Sequence, residues 1–351
     1  MAFFRSLIST LLLIAISLTF TFAQPFRCTS PGTKCDGLVD YVSPNRTTLS
    51  AIKTLFQIKN LRSILGANNL PLSTLANTTV AAKQTIKIPF PCICRNHTGI
   101  SNRRPIYTVV LGDGLDHIAT DVFARLVTFP QIQEVNNISN PNVISVGQKL
   151  WIPLPCSCDD VDGQKVVHYG YKVPGGSTVE GIAEQFNTSQ DTLLRLNNLT
   201  SPKDLMADAV LDVPLRACSS SLISNSSLDY PLLVPNGTYV FTANNCVRCN
   251  CDAANNWMLQ CEPSLINSSC SPIRCEGQEN FYLGNSSSSG CNRTTCAYAG
   301  YNHQNILTAI DVQSTCQAPD NNSSAISLRG LRWNFLLISI HIMLICLPFL
   351  K

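Results

Sequence analysis

Apolar and polar positions repeat a strand–helix–helix–strand pattern, most clearly between residues 107 and 155. The β-branched run at residues 107–110 predicts a strand. A second short helix over residues 130–135 and a return strand over 149–152, which Pro153 ends, complete this unit. Between them, apolar residues at three- and four-residue steps predict one helical face, formed by Leu115, Ile118, Ala119, Val122, Phe123 and Leu126.

Two carboxylates stand at the start of the first predicted helix. Asp113 occupies the expected N-cap position, and Asp116 takes the second position of a capping box. A glycosidase needs two carboxylates that face each other across a cleft, whereas these two have a capping role on a single helix. We therefore expect no catalytic residue and no enzyme.

The same pattern recurs at intervals of about 65 residues. Each copy opens with two apolar residues three apart, has an asparagine 18 to 21 residues later, and ends in a strand closed by proline. The opening pairs are Leu49/Ile52, Leu115/Ile118 and Val179/Ile182, and the asparagines are Asn68, Asn136 and Asn197. The expected fold class is α+β, with three βααβ repeats over residues 28–91, 106–155 and 169–215.

Composition favours a secreted protein. The 351 residues are 45% hydrophobic, enough for two or more domains, but only 13% are charged, so Ser, Thr and Asn must supply much of the polar surface. The formal net charge of +3 is small and comes without Lys/Arg blocks, so nucleic acid is not an expected partner. Seventeen cysteines exceed what a reducing compartment would keep paired.

Cysteines stand at the joints between the repeats. The first and second repeats are each followed by a Cys-x-Cys segment, at Cys92/Cys94 and Cys156/Cys158. In an extended Cys-x-Cys segment the two side chains leave the same face and are badly placed to pair with each other, so Cys28 and Cys35 become the expected partners. Zinc binding is disfavoured because no histidine lies at ligand spacing, and we expect neither a metal nor a cofactor.

Residues 218–316 hold ten of the sixteen cysteines that remain once Cys346 is set aside. We expect a disulfide-rich module with little regular structure. Its Cys246-x-x-Cys249 segment could be a redox motif, but no βαβ pattern surrounds it, which favours structural disulfides.

Both ends of the chain carry targeting patterns. Arg5, the apolar run at residues 7–22 and the small residue before a cleavage point predict a signal peptide over residues 1–23. An apolar tail at residues 335–350 behind a polar spacer predicts a glycosylphosphatidylinositol (GPI) anchor signal, rather than a membrane-spanning tail. We expect a tether over residues 317–324 with attachment at Asn322 or Ser323, and removal of residues 325–351, which takes Cys346 away.

N-glycosylation sequons are dense, as expected of an extracellular surface. They lie at Asn45, Asn77, Asn96, Asn137, Asn187, Asn198, Asn225, Asn236, Asn267, Asn285 and Asn292.

The second repeat resembles LysM domains, which are βααβ modules that bind N-acetylglucosamine polymers. The resemblance is carried by Tyr-Thr-Val, Gly-Asp-Gly-Leu, Asn-Asn-Ile, Asn-Pro-Asn, Val-Gly-Gln-Lys-Leu and Ile-Pro-Leu-Pro-Cys-Ser-Cys. The third repeat is similar and the first is divergent. Over the whole chain the sequence resembles the plant chitin elicitor-binding protein family of GPI-anchored LysM receptors, through the stretches at residues 65–71, 237–246 and 295–301.

That resemblance implies a disulfide knot and a ligand groove. The implied pairs are Cys28–Cys94, Cys35–Cys158 and Cys92–Cys156. The implied groove lies between the loop after the first strand of the second repeat and the loop before its second strand. Its residues are Leu111, Gly112, Asp113, Gly114, Leu115, Asp116 and His117 in the first loop, and Asn140, Pro141, Asn142, Val143, Ile144, Ser145 and Val146 in the second.

The expected function is that of a non-catalytic plasma-membrane receptor or co-receptor for chitin oligosaccharides in plant innate immunity. The resemblance implies a LysM receptor kinase as signalling partner, and one long oligosaccharide could bridge two copies into a homodimer. Peptidoglycan or a lipochitooligosaccharide is the alternative ligand. A structural wall-linked glycoprotein, in which the repeats are only spacers, also stays open.

Overall fold

The computed structural model describes residues 26–266, 270–314 and 316. The predicted signal peptide, anchor signal and sequon Asn267 lie outside these described residues. The described chain divides into two compact units, the first over residues 26–266, 270–285 and 296–310, and the second over residues 286–295, 311–314 and 316. Across the described ranges, no helix has the length and hydropathy to cross a membrane.

Six short α-helices, counted over the described residues, form three pairs where the apolar pattern predicts them. They are α1 Leu49–Leu55, α2 Leu61–Ala67, α3 Leu115–His117, α4 Phe129–Val135, α5 Val179–Gln185 and α6 Gln190–Leu196. Polar residues cap several of them: the side chains of Thr48, Asn60, Thr178 and Ser189 each accept a backbone N–H of the first turn. Short 3₁₀ turns cover Pro202–Asp204, Ala243–Asn245 and Ala253–Asn255.

Helix α3 is shorter than the predicted face. It continues as a π-helical turn, Ile118–Val122, and the Phe123 N–H donates to the Ile118 carbonyl at 3.0 Å. Ala124 and Arg125 then adopt left-handed backbone with φ of 51° and 60°, so the helix ends before Leu126. Leu126 is fully buried all the same, because the turn returns it to the core.

Seven strands of the first unit form one sheet, which joins the first and third repeats. In spatial order they are β1 Phe26–Arg27, β6 Thr98–Ser101, β5 Thr85–Arg95, β2 Lys34–Val42, β9 Val166–Lys172, β10 Val210–Cys218 and β11 Val234–Pro235. Strands β2 and β9 run parallel, with Leu38 opposite Tyr169. Separate two-stranded ladders join β3 Thr47–Thr48 to β4 Thr79–Val80, and β7 Ile106–Thr108 to β8 Lys149–Trp151.

One asparagine ties each helix pair to its return strand. The Asn136 amide donates to the carbonyls of Ile132 and Trp151 at 2.8 Å each, and its oxygen accepts the Trp151 N–H at 2.9 Å. Asn68 makes the same three bonds to Ile64 and Lys87, and Asn197 makes them to Leu193 and Asp212. We call this arrangement the asparagine bridge.

Three disulfides form a knot at the ends of the central strands. Cys28 bonds Cys94, Cys35 bonds Cys158 and Cys92 bonds Cys156, as the family resemblance implies. Cys35 and Cys92 are cross-strand neighbours, yet each bonds a partner after the second repeat. The sulfurs of Cys35, Cys92 and Cys158 lie within 4.8 Å of one another, but as disulfides they have no thiolate to offer a metal.

The C-terminal module is held by five further disulfides, and its described residues form six strands beyond β11, so the expectation of little regular structure is wrong. The first unit contains β12 Tyr239–Thr242, β13 Val247–Asn250 and β14 Gln260–Pro263, and beyond them the chain forms β15 Ser286–Ser289, β16 Asn292–Tyr301 and β17 Ile306–Ser314. The bonded pairs are Cys218–Cys251, Cys246–Cys270, Cys249–Cys261, Cys275–Cys296 and Cys291–Cys316. Cys246 and Cys249 bond different partners, so the Cys-x-x-Cys segment is structural here.

Candidate functional site

The two predicted groove loops lie side by side at one end of the β7–β8 ladder. Thr108 pairs with Lys149, the Val109 N–H donates to the Gln148 carbonyl at 2.9 Å, and the Gly147 N–H donates to the Val109 carbonyl at 2.8 Å. Because the strands are antiparallel, the segment leaving Val109 and the segment arriving at Gly147 emerge next to each other. Backbone pairing therefore fixes the separation of the two loops.

The capping prediction for Asp113 and Asp116 is wrong. The N-cap of α3 is Gly114, and the Asp113 carboxylate turns back over its own loop. It accepts the Val110 N–H at 2.8 Å and the Tyr107 hydroxyl at 2.9 Å, and its side chain is only 2% exposed. Asp113 thus holds the loop closed from below, while Asp116 is exposed in the first turn.

Tyr107 anchors this arrangement from the strand. Its ring makes an edge contact with Phe123 at 5.9 Å between centroids. Burial of the ring, together with the hydrogen bond to the Asp113 carboxylate, raises the pKa of Tyr107 to about 12. The hydroxyl therefore stays protonated and donates, which ties the loop to the core. The sequence placed Tyr107 only as a strand residue, and the Tyr–Asp spacing was the available signal for this contact.

The two loops expose an unusual amount of apolar side chain. Leu111 is 91% exposed, Val143 and Val146 are each 65% exposed, and Val110 is 53% exposed. Single exposed apolar residues are ordinary, but contiguous patches often mark binding surfaces. Sequence reasoning missed Val110 because it lies in the predicted strand. The buried–exposed alternation of Val109 and Val110 was the signal that could have found it.

Not every predicted groove residue reaches the surface. Leu115 is 2% exposed and belongs to the core, so the prediction that its side chain contacts the ligand is wrong. Ile144 and Pro141 are half-buried, and Ile144 packs on the core cluster beneath the loop. A partly buried Ile144 supports the neighbouring exposed valines and leaves only part of its surface to a ligand.

Local turns shape the second loop. The Asn140 side chain accepts the Asn142 N–H at 3.0 Å, and the Val143 N–H donates to the Asn140 carbonyl at 3.1 Å, which is an Asx turn. Gln148 accepts the Ser145 N–H at 3.0 Å. These bonds use donors within the loop, while the side chains of Asn142 and Ser145 remain exposed.

Charged groups near the loops are few. The Nδ1 atom of His117 lies 3.0 Å from the Asp121 carboxylate, and its Nε2 atom lies 3.6 Å from Asp113. Trp151 is half-buried on β8, and its indole N–H donates to the Ser101 hydroxyl at 3.3 Å. Trp151 is thus tied into the sheet and is not a free sugar platform at the groove.

The loop pair combines exposed methyl groups, exposed polar side chains and a turn with left-handed Gly112 at φ of 92°. A Cβ added at Gly112 would meet no neighbouring atom, so a ligand can approach the loop backbone closely at this residue. Such a surface suits a neutral ligand with polar groups and small apolar substituents. The Asp113 and Asp116 carboxylates do not face each other across a cleft, since Asp113 is turned beneath its loop.

Known proteins share this sequence over most of its length. Residues 107–153 and 171–214, which hold the second and third helix pairs, match the LysM domain family. The chain is 46% identical over 348 residues to LysM domain-containing GPI-anchored protein 2 of Arabidopsis thaliana, covering 96% of each chain. It is 41% identical over 334 residues to the chitin elicitor-binding protein of Oryza sativa subsp. japonica, covering 93% of this chain and 92% of that protein.

A more distant relative has a kinase name. The chitin elicitor receptor kinase 1 of Physcomitrium patens is 26% identical over 193 residues, covering 54% of this chain and 29% of that protein. The two nearly full-length relatives are named as anchored and binding proteins, and no enzymatic family is indicated. The chain belongs to the family of LysM domain-containing GPI-anchored proteins that includes the chitin elicitor-binding protein.

Proposed function

We propose that the chain is a non-catalytic receptor or co-receptor for chitin oligosaccharides on the cell surface, acting in plant innate immune signalling. The observation that carries the proposal is the paired, apolar-edged loop surface of residues 110–117 and 140–146, with Leu111 at 91% exposure. A rice relative named for chitin elicitor binding, 41% identical to this chain, supports the choice of ligand.

The chemistry of the loops suits N-acetylglucosamine units. Each acetamide offers a donor, an acceptor and a methyl group. Backbone groups around Gly112 and the side chains of Asn142 and Ser145 can meet the polar atoms, while Leu111 and Val143 can cover the methyl group and sugar face. The exposed carboxylates of Asp116 and Asp121 disfavour an anionic glycan and leave a neutral one as the better fit.

We infer three LysM repeats rather than two. The asparagine bridge at Asn68 has the geometry of those at Asn136 and Asn197, with its amide donating to Ile64 and Lys87 at 2.8 Å. Equivalent backbone hydrogen bonds support the same inference. The N–H and the carbonyl of Ser43, and those of Val173, each bond the segment just before the return strand, as the N–H and carbonyl of Val109 do. The first repeat carries sequons at exposed Asn45 and Asn77 in its equivalent loops, so glycans there would cover its surface.

We place the mature protein at the outer face of the plasma membrane through a GPI anchor, as the names of its relatives suggest. Signalling then requires a partner with a cytoplasmic domain, and a LysM receptor kinase is the proposed one. A long oligosaccharide that spans two loop surfaces would join two copies, and avidity would raise the apparent affinity without new contacts. In sedimentation, chitin octamer should produce dimers and chitin tetramer should not.

Calorimetric titration of the purified mature protein with chitin octamer tests the proposal. Leu111→Asp should weaken binding at least tenfold, because it places a charge against the sugar face. Leu265→Asp is the matched control, since Leu265 is 98% exposed in the C-terminal module. Equal affinity in wild type and Leu111→Asp would favour the spacer interpretation of the repeats.

The second candidate ligand is a lipochitooligosaccharide. Exposed Val110, Val143 and Val146 favour it, because a bare acetamide methyl group would cover only part of that apolar edge. Peptidoglycan shares the backbone sugar and is the further alternative. Competition with muropeptides and with an acylated chitin tetramer separates these ligands. Displacement of labelled chitin octamer only by unlabelled chitin supports chitin as the ligand. Stronger displacement by muropeptides or by the acylated tetramer identifies that competitor as the better ligand.

A further inference from the structure

A cleft separate from the groove loops lies between the β5–β6 hairpin and helix α4. Its volume is about 520 Å³, within the range of small-molecule sites. The hairpin supplies residues 95, 96 and 98–100 to the lining, and α4 with the turns at its two ends supplies much of the rest. None of the residues 110–117 or 140–146 lines it, so a molecule in this cleft would leave the predicted groove unoccupied.

Backbone contacts hold the two sides of the cleft together. The Cys156 N–H donates to the Gly99 carbonyl at 3.2 Å, and the Ser101 N–H donates to the Leu154 carbonyl at 2.9 Å. A Cβ added at Gly99 would lie 1.8 Å from the Cys156 carbonyl oxygen, so only glycine lets β6 approach the segment after β8 this closely. The cleft is therefore preformed where the hairpin meets the second repeat.

Two sequon asparagines, Asn96 and Asn137, line this cleft. Asn137 follows the C-terminal end of α4 and has left-handed backbone with φ of 53°. Its side chain is exposed, and none of the residues that the structure describes forms a hydrogen bond with it. The side chain of the preceding Asn136, by contrast, is fully engaged in the asparagine bridge. The Asn137 amide is thus free to carry a glycan at the lining of a cleft.

Asn137 is better placed than Asn96 to fill the cleft. Pro130, Glu134 and Asn137 follow one another at four- and three-residue spacing and all line the cleft, so a sugar on Asn137 can lie back along this face of α4. Asn96 stands at the exposed tip of the hairpin, where it and His97 form a two-residue turn with φ of 51° and 61°. A sugar on Asn96 projects from that tip.

The lining suits the first sugars of an N-glycan. Pro130 is exposed and Ile100 and Val135 are half-buried, so they offer apolar surface to the face of a sugar ring. The exposed side chains of Arg95 and Glu134 offer a donor and an acceptor to hydroxyl and acetamide groups. Covalent attachment at the lining gives the glycan a high effective concentration, which favours it over any free ligand and lets weak contacts hold it.

We propose that the N-glycan of Asn137 folds back into this cleft, with its first sugars between α4 and the β5–β6 hairpin. The second groove loop begins at Asn140, only a few residues beyond Asn137. A glycan held in the cleft is kept off that loop, so glycosylation at Asn137 and ligand binding by the groove are compatible. The inference concerns the glycan alone and does not depend on which ligand the groove binds.

Digestion of the native protein with endoglycosidase H, which cuts between the first two sugars, tests the proposal. The purified mature protein is produced with high-mannose glycans, and mass spectrometry of glycopeptides measures release at each sequon. We expect release from Asn137 to be about tenfold slower than from Asn198, as a contact worth a little over 1 kcal/mol would make it. After reduction and denaturation, both glycans should be released at the same rate.

Asn198 is the matched control for Asn137. It holds the same position after α6, with left-handed backbone at φ of 52° and an exposed side chain, but it does not line this cleft. Equal release from Asn137 and Asn198 in the native protein, or the absence of a glycan at Asn137, would overturn the proposal.

Two variants of the hairpin show whether the cleft itself protects the glycan. Arg95→Ala removes an exposed donor from the opposite wall and leaves every sequon intact, so it should speed release from Asn137 about threefold and leave Asn198 unchanged. Asn96→Gln should leave the protection at Asn137 as it is in the wild type. Unchanged release in Arg95→Ala, or protection found at Asn96 in place of Asn137, would contradict the assignment.

Discussion

Asn68, Asn136 and Asn197 explain at the residue scale why an asparagine recurs at a fixed distance from each helix start. Only an amide can donate twice to carbonyls and accept once from an N–H at the same position. Each bridge joins a helix end to the third residue of the return strand, so it fixes the position of the helix pair along that strand. In the second repeat the same strand leads back to the groove loops.

Asn136→Ala should lower the free energy of unfolding by about 2–4 kcal/mol. It removes three hydrogen bonds and leaves the polar groups of Ile132 and Trp151 without these partners, each at a cost of about 1 kcal/mol. Urea unfolding measures the change. Asn142→Ala, at an exposed side chain, should have almost no effect, and equal losses in the two variants would contradict the bridge as a source of stability.

His168 and Asp212 form a buried ion pair between β9 and β10. The His168 Nδ1 atom lies 2.8 Å from the Asp212 carboxylate, and its Nε2 atom lies 3.0 Å from the Asp159 carbonyl. Burial alone would lower the pKa of His168, but the Asp212 carboxylate and the Asp159 carbonyl outweigh it and raise the pKa above the usual value of 6.5.

Because the folded pKa of His168 is raised, its charge stabilises the protein fully below about pH 6.5, and this contribution is lost as pH rises through the folded pKa. Urea unfolding at pH 6, 7 and 8 should therefore show stability falling with pH. His168→Gln should flatten that dependence, while His117→Gln, at the exposed end of α3, should preserve it. An unchanged slope in His168→Gln would rule out this pair as its source.

At the scale of elements, the disulfide knot fastens the first repeat to the segment after the second. Cys92 and Cys156 are both fully buried and 64 residues apart in sequence. Aromatic contacts follow the same junction, from Tyr41 to Phe56 at 5.1 Å and from Phe56 to Phe123 at 5.7 Å. Covalent and apolar contacts together compensate for the small core of each repeat.

The paired variant Cys92→Ala/Cys156→Ala should lower the free energy of unfolding by about 2–5 kcal/mol, because the unfolded chain regains the entropy of a long loop. Thermal unfolding followed by circular dichroism is the measurement. Cys291→Ala/Cys316→Ala, in the second compact unit, should leave chitin octamer binding intact. If the Cys92→Ala/Cys156→Ala variant unfolded at the wild-type temperature, the packed aromatic residues alone would account for the stability of this junction.

The helix pairs could be predicted because apolar periodicity reports directly on which face is buried. The end of the helical segment that begins with α3 could not be predicted. Ala124 and Arg125 adopt left-handed backbone there, without the glycine or asparagine that usually signals that conformation. Asp113 was misassigned because an aspartate that caps a helix and one that closes a turn have the same local sequence. The C-terminal cysteine pairing could not be predicted, since ten cysteines allow many connectivities.

At the scale of the whole molecule, one repeat presents an uncovered apolar loop surface. The loops of the second repeat contain no sequon between residues 111 and 117 or between 140 and 146. The equivalent loops of the first repeat contain Asn45 and Asn77, whereas the sequons Asn137 and Asn198 occupy equivalent positions before the second loops of the second and third repeats. The proposed glycans would therefore restrict access to the first repeat, and the exposed apolar side chains within residues 110–117 and 140–146 favour the second repeat over the third as the ligand site.

Hydrogen exchange tests that claim most directly. The purified, glycosylated mature protein is exchanged with and without saturating chitin octamer, and protection is read by mass spectrometry. We predict that slowed exchange is confined to peptides covering residues 110–117 and 140–147. Slowed exchange over residues 174–178 and 200–208 of the third repeat instead, with the second-repeat loops unchanged, would contradict the account.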